Sequence, residues 1–323
     1  MEREQQTKIC SLPNAKASNK QKFFCPNYPR AAGKYGILSE RRKFFGQWSK
    51  RKRTGAPCVA VYENALHWRE QTMKNKWLHF SVDKETLFAL ACGALMILLS
   101  VAMTWLDGEV ASIILRDALM IVLLGFFTPL YYIVVVKKQS PAVFGLHKNR
   151  LVASLAINIV AGGALLAMFI RKNTEAIVFT QGSFYAMTYI FAAGIFEMIF
   201  IYGFLRYELE RAFGIVPAIF LTAVFYSLHH AGFQPEFAKL FFVGVMYVAA
   251  FYFTRSLFAL FPCFWGVGAC WDVLVNSDAG AQIQNRTSFV VALAMLAAMT
   301  CIGIFIWRKK KDNMRQGKFL ICR

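Results

Sequence analysis

Apolar runs of about 20 residues recur along the chain from Leu87 onward, each closed by a short polar or basic stretch. At 1.5 Å per residue, such a run crosses roughly 30 Å of hydrocarbon. The pattern predicts spans over Leu87–Leu106, Ala118–Val136 and Leu151–Ile170, then a longer one over Ala176–Leu205. Three more begin near Ile215, Leu240 and Leu257, and a last one covers Ser288–Trp307. Backbone polar groups find no water in lipid, so segments of this length fold as helices. The expected fold is an all-α polytopic transmembrane bundle of about eight spans, residues 86–307. Residues 1–85 are polar, basic and broken by Pro13, Pro26, Pro29 and Pro57, which reads as a largely disordered tail. Residues 308–323 form a second basic tail. Met73 is followed by Lys-Asn-Lys-Trp, a short basic lead usual before a first membrane helix, and is an alternative native start.

Charge sharpens this picture. Only 17% of residues are charged and 57% are hydrophobic, whereas a soluble domain sits near a quarter charged. The net charge of +19 collects in the first 85 residues, the Lys137–Arg150 linker and the C-terminal tail. That distribution suits positive-inside anchoring and anionic lipid; a folded basic face for nucleic acid is absent from the pattern. The basic blocks, a charged turn at 206–211 and Arg255 fall on alternate loops, with Arg171-Lys172 the exception. Both termini are therefore expected on the cytoplasmic side, of the cell membrane in a bacterium or an ER-type membrane in a eukaryote. The eight cysteines have neither metal nor disulfide spacing. Cys322 is penultimate, so the chain does not itself end in a prenylation signal. Asn285-Arg-Thr287 matches a glycosylation sequon but abuts the last span.

Ionisable residues thin out sharply inside the spans, leaving Glu197, the adjacent His229 and His230, and Asp272. A charge in hydrocarbon costs roughly 2.5–3.5 kcal/mol by insertion measurements, so such residues mark function by default. A carboxylate beside an imidazole activates a water as general base. Each residue also has a plainer reading: Glu197 bonded to Tyr202 as interhelical glue, the histidines as interfacial caps, Asp272 as a solvated cap. A depth count separates the pair. Glu197 lies roughly 12 Å from the Leu205 end of its span and His229 roughly 21 Å from Ile215, which demands tilted helices or different boundaries.

Glu197-Met-Ile-Phe-Ile-Tyr202-Gly203, Phe225-Tyr-Ser-Leu-His229 and Gly268-Ala-Cys-Trp-Asp272 follow one another in this order. They resemble the three motifs of the CAAX-protease and bacteriocin-processing (CPBP, or Abi) intramembrane endopeptidases: Glu-Glu-x-x-x-Arg-Gly, Phe-x-x-x-His and His-x-x-x-Asn/Asp. The resemblance covers about residues 118–275, including the linker with Phe144-Gly145-Leu146. Three motif positions depart from it: Met198 for the second Glu, Tyr202 for the Arg and Gly268 for the third-motif His. The resemblance implies Glu197 and His229 as the water-activating pair and Asp272 near the oxyanion, with His230 a substitute for the lost imidazole. Tyr202 and Phe225 are then candidate substrate contacts. Implied partners are membrane lipids and a prenylated or membrane-anchored peptide.

Three other readings compete. A pseudoprotease would keep the bundle to bind a peptide, lipid or partner helix. A transporter would show an internal repeat of membrane segments, which the sequence lacks. No cofactor is firmly implied, and a divalent metal on Glu197, His229 and Asp272 has no HExxH-type spacing behind it.

Overall fold

The structure, a computed structural model, describes residues 77–106, 108–172, 176–275 and 281–315. The alternative start at Met73, the early tail cysteines and Cys322 lie outside them. Every regular element among the described residues is helical. In chain order these are α1 (Lys84–Met103), α2 (Glu109–Val136), α3 (Leu151–Lys172), α4 (Gln181–Phe213), α5 (Ile215–Leu228), α6 (Phe237–Thr254), α7 (Cys263–Leu274) and α8 (Arg286–Arg315). Local chemistry sets the starts. Asp83 caps α1 by accepting from the Thr86 amide at 2.9 Å, and Thr180 with Ser183 forms a capping box on α4. Asn285 of the sequon caps α8, accepting from the Ser288 amide at 2.8 Å.

Six helices are long and apolar enough to cross a membrane: α1, α2, α3, α4, α6 and α8. The fifth and seventh predicted spans are shorter than expected. Helix α5 has 14 residues and α7 has 12, about 21 and 18 Å, below the roughly 30 Å of a hydrocarbon core. A turn with Ala231 and Gly232 at φ 72° and 75° follows α5. The run from Leu257 is spent first on a single 3₁₀ turn, Leu257–Ala259.

The expected end of the fourth span at Leu205 is also wrong. Helix α4 continues to Phe213 because the 206–211 charges are paired, not solvated. Arg206 donates to Glu210 at 2.7 Å, Arg255 meets Glu210 at 2.6 Å, and Arg211 bridges Glu208 and Asp83, each at 2.6 Å. Lys137 pairs with Glu85 in the same manner, so the polar termini of α1, α2, α4 and α6 gather at one end of the bundle. Residues 77–83, assigned to the tail from sequence, are tied to that end by Ser81 N–H to Ala212 O at 2.7 Å and His79 N–H to Phe213 O at 3.1 Å.

Asp117 is a buried ionisable residue that the sequence count missed. It accepts from the Tyr189 hydroxyl at 2.5 Å and from Arg116 Nε at 2.8 Å. Helix α5 packs along α6 and against α4, while α7 packs on α3 and α4. The bundle centre is the α4 segment Glu197–Leu205, in which every residue is buried.

Candidate functional site

Glu197 is the midpoint of α4, and it opens a π-helical stretch that runs to Leu205. The same wide winding runs through most of α2, over Ile113–Phe127 and Tyr132–Val136, so it matters here for which residues it stacks. Its i→i+5 bonding stacks residues five apart, so Tyr202 stands over Glu197. On a regular α-helix the two would be about 140° apart. With α4 reaching Phe213, Glu197 lies about 24 Å from that end by α-helical rise, close to the 21 Å of His229 along α5. The depth mismatch seen in the sequence vanishes.

Glu197 is buried, with 7% exposure, and its two carboxylate oxygens have different partners. Oε2 accepts the Trp265 indole N–H at 2.7 Å, and Oε1 lies 3.5 Å from His229 Nε2. Trp265 comes from α7, so three helices meet at one carboxylate. Its indole lies against Gly194, one turn before Glu197, where a Cβ would overlap the ring. Phe191 and Phe261 flank it at centroid distances of 6.2 and 5.8 Å. The start of α7 is anchored by buried Asn158 of α3. Its Oδ1 accepts from the Phe264 amide at 2.7 Å, and its Nδ2 donates to Phe258 O at 3.0 Å.

His229 follows α5, and its backbone carbonyl accepts from buried Ser100 Oγ at 2.5 Å, which pins the turn to α1. His229 Nδ1 lies 2.5 Å from the Tyr226 carbonyl oxygen, and His230 Nδ1 lies 2.8 Å from the same atom. A carbonyl only accepts, so each Nδ1 carries a proton. His229 Nε2 then faces Glu197 Oε1 as one acceptor facing another when imidazole is neutral and carboxylate ionised. A single proton between them, or a water donating to both, resolves that opposition.

Glu197, His229 and His230 each offer a ligand atom, all within 4.8 Å of one another. The 3.5 Å Oε1–Nε2 separation matches the roughly 3.4 Å edge of a tetrahedral ion with bonds near 2.0–2.1 Å. These three residues could hold a divalent metal. The set differs from that read in the sequence, because His230 takes the place given to Asp272.

Asp272 is exposed and lies two turns, about 10 Å, beyond Trp265 on α7, so it does not join the buried cluster. Phe225 is half-buried, with its ring over Gly93 of α1, which makes it a packing residue at this junction. Tyr202 does lie at the site. Its hydroxyl is buried without a hydrogen-bond partner, and its ring meets those of Tyr226 and Tyr247 at 5.7 and 5.9 Å. In sequence Trp265 is one aromatic among many, and only its contact with Glu197 distinguishes it.

A family model described as Type II CAAX prenyl endopeptidase Rce1-like matches residues 179–267. The match is consistent with the CPBP resemblance. It includes Glu197, His229, His230 and Trp265 and stops short of Gly268 and Asp272. No curated protein and no solved structure matches the chain.

Proposed function

We propose that this chain is a divergent CPBP-type intramembrane endopeptidase that hydrolyses a peptide bond of a prenylated, membrane-anchored substrate. The family match supports a CAAX-protease-like membrane endopeptidase in general, and six membrane-length helices make the protein an integral, multi-pass one. The observation that carries the mechanism is the buried contact of Glu197 Oε1 with His229 Nε2, held by Trp265 on the other carboxylate oxygen. Water donates to both acceptors. As its oxygen attacks the scissile carbonyl carbon, its proton passes to the Glu197–His229 pair. The tetrahedral intermediate collapses with cleavage of the C–N bond, and the pair returns the proton to the departing amine. Positioned proton transfer of this type contributes roughly 10²–10⁴-fold. We place the charged end of the bundle, and with it both termini, on the cytoplasmic side, with membrane lipids around the helices and no nucleic acid involved.

The test is cleavage of a farnesylated, internally quenched peptide ending in a C-a-a-X sequence by purified protein in detergent. Glu197→Gln and His229→Ala should each abolish most of the rate while leaving the fold intact. Activity surviving Glu197→Gln sinks the mechanism. One observation favours a second reading, a pseudoprotease that binds such a segment without cutting it: Glu197 and His229 are both only 7% exposed, and Asp272 stands apart from them. That reading predicts peptide binding unaffected by either substitution, with no turnover by the unaltered protein.

A further inference from the structure

The hydrolytic reading leaves one role unfilled. The oxygen of the scissile carbonyl gains negative charge as water attacks, and a preorganised donor must meet it. Asp272 is exposed, and position 268 is a glycine with no side chain to offer.

Tyr202 has the properties this role requires. It is fully buried, at 0% exposure, and its hydroxyl is one of few buried side-chain groups among the described residues with no hydrogen-bond partner. A buried unpaired hydroxyl lowers stability and calls for a specific explanation. The nearest polar neighbours of the hydroxyl are Tyr226, Glu197 and Tyr247; Tyr226 is near enough for a weak side-chain contact, but it lies outside strict hydrogen-bond geometry and leaves the hydroxyl open to a better acceptor. Its position is built by the backbone: the π-helical turn stacks Tyr202 over Glu197, on the side where the water-activating pair sits. The ring is fixed edge-on against Tyr247 and tilted against Tyr226, so its hydroxyl is oriented before any ligand arrives. A phenol is a neutral donor at physiological pH and needs no counter-ion in an apolar site.

We propose that Tyr202 is a catalytic residue whose hydroxyl donates a hydrogen bond to the scissile carbonyl oxygen, strengthening as that oxygen becomes anionic. The inference rests on the hydrolytic reading of Glu197 and His229. It commits to the carbonyl oxygen of a peptide bond as the missing acceptor, and so to a peptide segment inserted between α4 and the α5–α6 turn.

The experiment compares the unaltered protein with Tyr202→Phe and Glu197→Gln in two assays on the full chain in detergent. The first is turnover of the farnesylated quenched peptide. The second is affinity for two non-cleaved farnesylated probes, one with the scissile amide N-methylated and one with a tetrahedral phosphinate in its place. Tyr202→Phe should lower kcat on the order of 10²-fold with KM little changed. It should weaken phosphinate binding while leaving the amide probe unaffected. Its thermal midpoint should hold or rise, because an unpaired hydroxyl has been removed, whereas a purely structural tyrosine would lose stability at constant kcat. Turnover within threefold of the unaltered protein overturns the proposal, as does equal weakening of both probes. If the unaltered protein cleaves nothing, the protease reading fails. The phosphinate preference then decides separately: its loss in Tyr202→Phe upholds the donor, and its absence in the unaltered protein removes it.

Discussion

Gly194→Ala adds one methyl group and tests whether the Trp265–Glu197 bond holds the site together. The new Cβ would overlap the indole ring of Trp265, 2.1 Å from its nearest carbon, so the ring must shift by about 1.5 Å to reach ordinary contact distances of roughly 3.5–4.0 Å. Overpacking of this kind costs about 1–3 kcal/mol, and losing a hydrogen bond to a charged group costs about 1.5–3 kcal/mol. Alanine recovers about 1 kcal/mol of helix propensity over glycine, leaving a net loss of about 1.5–5 kcal/mol. A reacting group displaced by about 1 Å also loses on the order of 10²-fold in rate. Thermal unfolding in detergent and peptide turnover read the two effects. Trp265→Phe removes both the indole N–H and the crowded ring, so the two substitutions together should cost less than their sum, by about 0.5–3 kcal/mol. If Gly194→Ala leaves both midpoint and kcat unchanged, Trp265 is not the clamp described here.

Two further substitutions probe the supports. Asn158→Leu should lower the unfolding midpoint and slow turnover, since it strands the Phe264 amide and the Phe258 carbonyl at about 1–3 kcal/mol each; a neutral result would detach the α7 anchor from the site. Glu210→Gln should cost about 3–5 kcal/mol, because Arg206, only 2% exposed, loses its carboxylate in a buried setting. Lys239→Ala, whose side chain is 65% exposed beside Glu236, should change stability by under about 1 kcal/mol; equal effects at the two positions would contradict the burial argument.

The pairing of Glu197 with His229 was legible because an ionisable residue in an apolar run stands out against its neighbours. Asp272 stood out for the same reason, but it lies two turns along α7 from Trp265, and motif order carries no information about depth along a helix. Trp265 had no such contrast: an indole among phenylalanines counts as apolar until a carboxylate is found within reach of its N–H. The π-helical turn has no residue signature at all, yet it decides that Tyr202 shares a side with Glu197. Segment 206–211 misled in the opposite sense. Charges that look like a solvated turn in one dimension neutralise each other in three, and α4 runs through them. Asp117 escaped because it directly follows Arg116 at the edge of an apolar run and reads as interfacial.

The absent third-motif histidine has a packing explanation that can be tested. A Cβ at Gly268 would lie 2.5 Å from the Tyr247 hydroxyl oxygen and 3.7 Å from Leu165 Cδ2. Tyr247 has little freedom to withdraw. It is 1% exposed, stands edge-on to Phe264 at 5.1 Å, and its hydroxyl lies 3.4 Å from the Trp265 carbonyl. An imidazole at position 268 and a phenol at position 247 therefore claim one volume, and the two positions form a single packing unit. Gly268→His alone should be overpacked by about 1–3 kcal/mol and should disturb Trp265 one turn away, lowering both midpoint and turnover. Tyr247→Ala alone should open a cavity costing about 3–5 kcal/mol by analogy with large aromatic truncations. Combined, the histidine occupies part of the vacated space, so the double variant should be more stable than the sum of the single losses predicts, by about 1–3 kcal/mol. Strict additivity in thermal unfolding of the four proteins would mean that the positions do not compete. The glycine at 268 would then need a cause other than Tyr247.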